Sequence, residues 1–126
     1  YKLDINKVNP IGMKGHLAIE YGKLIQSLWS SNAAVAPRNF RWVLGKFATR
    51  FTSYQQQDAQ ELLAFMLDGL HDDLNRVLVK PYTPEPSDAD NLGKTQMVLA
   101  QEAWRRHTAR NDSVMVDWWQ GQFRST

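Results

Sequence analysis

A chain of 126 residues makes one ordinary domain or part of a larger one. Its 43% hydrophobic and 22% charged content can build a core and excludes wholesale disorder, and no run of about 18 apolar residues is present to cross a membrane. With no cysteine, the chain itself supplies no disulfide, no thiolate metal ligand and no thiol nucleophile, and a cytoplasmic or nuclear location is compatible with that.

The net charge of +2 is unevenly spread. Tyr1 to Gln57 holds eight Lys/Arg against two acids, whereas Asp58 to Asp90 holds eight acids against two Lys/Arg. The basic residues are dispersed along the sequence, and phosphate binding needs a clustered patch, so no nucleic-acid partner is expected. Solvated faces with intramolecular pairing account for the pattern. The opening YKLDINKVNP has neither a signal-peptide pattern nor an initiator Met, and reads as the start of a trimmed or excised piece.

The elements follow in chain order. Asn9-Pro10-Ile11-Gly12 reads as a turn. Met13, Leu17, Tyr21, Leu24 and Leu28 recur at spacings of three and four, which predicts a helix over Met13 to Ser31. Pro37 suits the first turn of a second helix, through Phe51, with Phe40, Val43, Leu44, Phe47 and Phe51 on one side. Thr52 to Gln55 breaks it. A third helix opens at Asp58 and is expected to run to Lys80-Pro81, where proline restricts the preceding residue. Leucines 62, 63, 67, 70, 74 and 78, with Met66 and Val77, fill one half of its wheel. Asp73 falls inside that apolar half, which predicts a buried or rim ion partner for it. Residues 83–94, TPEPSDADNLGK, read as a loop expected to be mobile. A fourth helix is expected from Thr95 to Arg110, with Val98, Leu99, Ala103 and Trp104 inward. VMVDWWQGQF, Val114 to Phe123, has the β-branched and aromatic composition of a strand, with Gly121 at a bulge or bend. The expected fold is therefore mainly α with a C-terminal β-strand. A lone strand leaves backbone groups unpaired, so its sheet is expected to lie elsewhere, with exposed apolar surface and a tendency to associate.

His16, His71 and His107 are dispersed, and His71 reads as a core or boundary histidine. Without cysteine or clustered histidines no metal site is expected, and Gly12 and Gly15 lack the strand that precedes a phosphate-binding loop. The five tryptophans read as core more readily than as stacking platforms for bases. Trp118 and Trp119, adjacent on a strand, would point to opposite faces.

The informative stretch is YQQQDAQELLAFMLDGLHDDLNRVLVKPY, residues 54–82. Asp58 and Glu61 have the spacing of a capping box, each side chain taking a backbone N–H at a helix start. They also sit on one face beside Gln55, Gln56 and Gln57, a set suited to gripping a guanidinium on an extended chain. The two roles can coexist, because a carboxylate has lone pairs to spare.

This stretch resembles the glutamine-aspartate box of ubiquitin-specific proteases, a family of cysteine deubiquitinases. DINKVNPIGMKGHLAIEYGKLIQSLW is similar to the segment after the family's catalytic-cysteine box, and AQEAWRRHTARNDSVMVDWWQGQFRST to the helix and strand that lead towards its zinc-binding fingers. The set DGLHDDLNRV, KPY and EAWRRHTARNDS resembles the large multi-domain members. The resemblance covers essentially the whole chain. It implies a papain-like fold, α+β as a whole, of which residues 1–126 are a helical thumb fragment of the catalytic domain. It also implies that Gln56, Asp58 and Glu61 bind the arginine-bearing ubiquitin tail, with ubiquitin and ubiquitinated proteins as partners. The enzyme would cleave the bond after ubiquitin's C-terminal glycine. The alternative is a non-catalytic ubiquitin-binding or scaffold module. The family's catalytic cysteine, its histidine and its Asn or Asp orienter have no counterpart in this chain, and neither His71 nor His107 falls in the family's histidine box. No cofactor is expected, zinc belonging only to fingers outside this chain. Leu62, where Phe is commoner, and Trp118-Trp119, where a smaller apolar residue then Phe is usual, keep the apolar character.

Overall fold

The computed structural model describes residues 1–53 and 56–123, with side chains as far as 119. Its helices are α1 (His16–Ser30), α2 (Arg38–Phe47), α3 (Ala59–Asp73), α4 (Asp88–Asn91), α5 (Gln96–Thr108) and α6 (Val114–Phe123). A 3₁₀ turn, Thr49–Thr52, follows α2. The mainly helical fold is as expected.

Helix α1 packs on α2 and α3, and α3 packs on α6. The core forms where they meet: Met13, Leu17 and Ala18 face Val43, Leu44 and Ala48, closed by Phe51, Leu70 and Leu74. Each large apolar side chain removed from water there contributes about 1.5–3 kcal/mol. α1 and α3 approach closely at Gly69, where an added Cβ would lie 2.7 Å from Leu17 Cδ2 and 2.9 Å from Met13 Cε.

Asp73 is fully buried, and it has no ion partner as its principal contact. Its Oδ1 accepts the Met13 N–H at 2.6 Å, and its Oδ2 accepts those of Leu17 and Ala18 at 3.0 and 3.2 Å. This corrects the expectation of an ionic partner. α1 begins at His16 after Gly15, which has φ 79° and no side chain with which to cap. The free N–H groups and positive end of α1 supply what a cation would have supplied.

α2 ends at Phe47, and the expected continuation to Phe51 is the 3₁₀ turn. Phe51 still reaches the core and meets Phe65 of α3, ring centroids 5.9 Å apart. Phe47, expected on the packed side, is exposed.

α3 stops at Asp73, short of Lys80-Pro81, although the apolar spacing runs on. Asn75 diverts the chain. Its Oδ1 accepts the N–H groups of Val77 and Asp112, at 3.0 and 3.3 Å, and its Nδ2 donates to the Arg110 carbonyl at 3.0 Å. Its own carbonyl accepts Asn6 Nδ2 at 2.8 Å. An asparagine that bonds backbone this way competes with helix continuation. Asn75 also forms an isolated antiparallel bridge with Ser113.

Residues 83–94, expected as a loop, contain the single turn α4, closed by a capping box between Ser87 and Asp90. α5 is capped by Thr95, but none of its residues is fully buried. Leu99 and Trp104 are half-buried, whereas Val98 and Ala103, expected inward, are exposed.

The largest departure is Val114–Phe123, helical where a strand was expected. Among the described residues no partner strand is available, so the segment satisfies its backbone within itself. Ser113 sets the start: its Oγ accepts the Val116 N–H at 3.1 Å and its carbonyl accepts that of Asp117 at 3.0 Å. Gly121 lies inside the helix, not at a bulge. Trp118 and Trp119 are both exposed, by 71% and 45%, and do not divide between two faces of a sheet.

Candidate functional site

The start of α3 is an exposed corner fixed by the 3₁₀ turn beside it. Asp58 is the N-cap: its Oδ1 accepts the Gln60 N–H at 2.7 Å while its carbonyl accepts the Leu62 N–H at 3.1 Å. Glu61 does not complete the capping box. Its Oε1 is paired with Arg50 Nη1 of the 3₁₀ turn. Arg50 also lies over the Phe51 ring, 4.8 Å from its centroid. The Phe51–Phe65 contact anchors this turn against α3, so Arg50 arrives at Glu61 from a fixed base.

Gln56, Asp58 and Glu61 are all exposed and lie close together in sequence at the helix start. Gln57 donates from Nε2 to Ser53 Oγ at 3.3 Å. Gln55, which the sequence placed in the same set, lies outside the described residues. The cap occupies Oδ1 of Asp58 and leaves its other lone pairs able to accept. The corner presents two carboxylates and an amide to solvent at the positive end of a helix. Those acceptor groups suit a guanidinium on an extended chain. No local pattern marks Arg50 as part of this corner, because the pairing spans the break between two helices.

A second polar cluster lies at the other end of α3. His71 Nδ1 is 2.8 Å from Ser113 Oγ, and its Nε2 is 3.3 Å from Asn111 Oδ1. Asn111 uses its amide N–H on the His107 carbonyl, so its oxygen faces the ring and Nε2 carries the proton. Nδ1 then accepts the Ser113 hydroxyl proton. Ser113 is completely buried and its Oγ also holds the Val116 N–H, so this grouping is a pin between α3 and α6 and not a nucleophile with its base. Histidine 71 is thus a boundary residue, as expected.

Beside the pin, Arg76 binds three carboxylates: Asp112 and Asp117 at 2.9 Å and Asp4 at 3.3 Å. The hydrogen bonds to Asp117, then Asp112, then Asp4 hold its guanidinium protonated more firmly than an ordinary arginine. Among the described residues, no three His, Asp or Glu side chains are grouped to hold a metal ion. With no cysteine in the chain, the thiolate ligands of a zinc finger are not here either.

The family model described as ubiquitin carboxyl-terminal hydrolase matches residues 2–126. Ubiquitin carboxyl-terminal hydrolase 4 of Rattus norvegicus is 55% identical over 127 residues, covering 100% of this chain and 13% of the relative. Putative ubiquitin carboxyl-terminal hydrolase 11 of Arabidopsis thaliana is 54% identical over 127 residues, covering 100% of this chain and 14% of the relative. Ubiquitin carboxyl-terminal hydrolase 32 of Homo sapiens is 54% identical over 123 residues, covering 97% of this chain and 8% of the relative. The chain thus spans between 8% and 14% of the length of these relatives. It belongs to the ubiquitin carboxyl-terminal hydrolase family, as its resemblance to ubiquitin-specific proteases implies.

Proposed function

We propose that this chain is the helical thumb of a cysteine deubiquitinase and that the start of α3 orients the C-terminal tail of ubiquitin. The observation that carries this reading is the exposure of Gln56, Asp58 and Glu61 together at the start of α3, with Asp58 using one oxygen in its cap. Asp58 and Glu61 pair with tail arginine, and Gln56 holds the adjacent backbone. The nucleophilic thiolate and its histidine base come from other parts of the enzyme, through an acyl-enzyme intermediate. This segment contributes position: a tail held in register converts the attack on the bond after the terminal glycine into a near-unimolecular step.

Ubiquitin and ubiquitinated proteins are the partners, in the cytoplasm or nucleus. Among the described residues no helix is long and apolar enough to cross a membrane.

The test uses the full-length protein and a ubiquitin probe with a thiol-reactive C-terminus. A covalent adduct forms, and Asp58→Asn slows its formation by about tenfold or more. Asparagine caps a helix as well as aspartate does, so stability is kept. An adduct formed at an unchanged rate by Asp58→Asn contradicts the clamp.

A further inference from the structure

Residues 80–87 run without regular secondary structure between α3 and α4. Pro81, Pro84 and Pro86 punctuate them, and each proline pushes the residue before it towards an extended backbone. Lys80, Thr83 and Glu85 are those residues. Among the described residues no backbone hydrogen bond ties down the stretch from Leu78 to Pro86. Two polar side-chain contacts hold it: Lys80 Nζ donates to Asp72 Oδ1 at 3.4 Å, and Arg110 Nη1 donates to Thr83 Oγ1 at 3.4 Å. Tyr82, before Thr83, is 89% exposed, and Pro84, after it, is exposed as well.

Thr83 differs from the other hydroxyl residues of this region. Ser87 and Thr95 cap α4 and α5, Thr108 donates its hydroxyl to the Trp104 carbonyl, and Ser113 lies buried in the pin with His71. The Thr83 hydroxyl holds no helix end. Its oxygen accepts from Arg110, and among the described residues no acceptor holds its proton. Arg110 makes no ion pair among the described residues, and its backbone carbonyl is fixed by Asn75 Nδ2 at 3.0 Å. Several acids of the region are already engaged: Asp72 by Lys80, Asp112 and Asp117 by Arg76, and Glu102 by Lys94. Glu85, two residues on, shares the extended face of Thr83 and is exposed to water, where repulsion between charges is weak.

We propose that Thr83 is a phosphorylation site for a protein kinase that selects proline after its target hydroxyl, with Arg110 as the receiver of the phosphate. Such a kinase takes an extended chain, and proline brings no N–H that would need an acceptor in its cleft. In the transfer, the γ-phosphoryl group of ATP bonds to Thr83 Oγ1 as its bond to the β-phosphate oxygen breaks. ADP leaves, and the hydroxyl proton passes to the base of the kinase. The product carries a charge of about −2 at pH 7. A long hydrogen bond to a neutral hydroxyl thereby becomes a forked, charge-assisted contact of about 2.8 Å. Arg110 stands in the turn that ends α5, so the phosphate straps residues 80–86 to that end. Ser87, flanked by Asp88 and Asp90, is the rival hydroxyl. A phosphate there would lie against the Asp90 carboxylate, which the Ser87 hydroxyl now bonds at 2.7 Å. The site involves none of Gln56, Asp58 and Glu61, so it does not depend on the tail clamp.

The test treats the folded full-length protein with ATP and a purified proline-directed kinase and maps the phosphate by mass spectrometry. Phosphate appears at Thr83, and Thr83→Val removes it. The strap is read from the rate of chymotryptic cleavage after Tyr82. Phosphorylated wild-type protein is cut about fivefold more slowly than phosphorylated Arg110→Gln, which carries the same phosphate beside the same bond. Arg110→Lys keeps the charge, loses the fork and falls between the two. Both variants retain the backbone carbonyl that Asn75 holds. Three results overturn the proposal: no phosphate at Thr83 of the folded protein, phosphate on Ser87 in its place, or equal cleavage of the wild-type and Arg110→Gln phosphoproteins.

Discussion

Helix α3 is bounded by two aspartates that cap helices, and they are used in opposite ways. Asp58 caps its own helix at the surface and spends one oxygen on a single N–H. Asp73 caps α1 from 55 to 60 residues away and spends both oxygens on three N–H groups in the core. The same side chain is structural where its hydrogen-bonding capacity is exhausted and available to a ligand where it is not. Burial makes the difference, since an unfilled lone pair costs little in water and much in the interior.

The sharpest way to break this contrast is at the buried end. Asp73→Ala leaves three donors without an acceptor and costs about 3 kcal/mol or more. A thermal melt of the full-length protein shows it as lost folded material. An unchanged melt would show that α1 does not rely on this cap.

Asn75→Ala comes next. It removes the acceptor for Val77 and Asp112 and the donor to Arg110, costing about 2 kcal/mol. Faster amide exchange at Val77 and Asp112 reports the loss directly. Protection that persists in the variant would place the chain reversal elsewhere.

The two ends also differ in how much the sequence reveals. The start of α3 was legible because a capping aspartate and the amphipathic period that follows are local signals. Its end was not. Leu74, Val77 and Leu78 continue the helical period, whereas the stop depends on Asn75 meeting residues 110–113, which no local pattern shows. Asp73 looked misplaced for the same reason: its partners are the N–H groups of a distant helix. Val114–Phe123 misled in the other direction. Its β-branched and aromatic residues favour a strand, and Ser113 starts a helix there by taking the Val116 N–H. Arg50 was hidden because its pairing with Glu61 forms only once the 3₁₀ turn is folded against α3.

At the exposed end, Arg50→Gln sharpens the comparison with a smaller effect. Arg50 and Glu61 are each about half exposed, so losing the pair changes stability by no more than about 1 kcal/mol. Arg50 holds the carboxylate that a tail arginine would need. Its removal is expected to lower KM for a ubiquitin substrate by up to about fivefold with kcat unchanged. A raised KM would mean that Arg50 positions Glu61 for the tail and does not compete with it.

The smallest expected effect is a local one in acid. Hydrogen bonds from the Ser87 hydroxyl, then from its N–H, hold the Asp90 carboxyl below the usual carboxylate range. A depressed folded value stabilises α4 fully above the ordinary value, near 3.9, and the contribution fades as pH falls through the depressed one. Ser87→Ala should raise the Asp90 titration midpoint towards the ordinary value, read from its carboxyl chemical shift. An unmoved midpoint would assign the depression to another group.

The most direct measurement of the central claim is a double-mutant cycle on ubiquitin hydrolysis by the full-length protein. One axis is Asp58→Asn, which keeps the cap. The other replaces the tail arginines of ubiquitin with glutamine. If Asp58 grips a tail arginine, Asp58→Asn lowers kcat/KM on ordinary ubiquitin by about tenfold and has little further effect on the arginine-free tail. Equal losses on both ubiquitins would show that Asp58 acts only within its own helix.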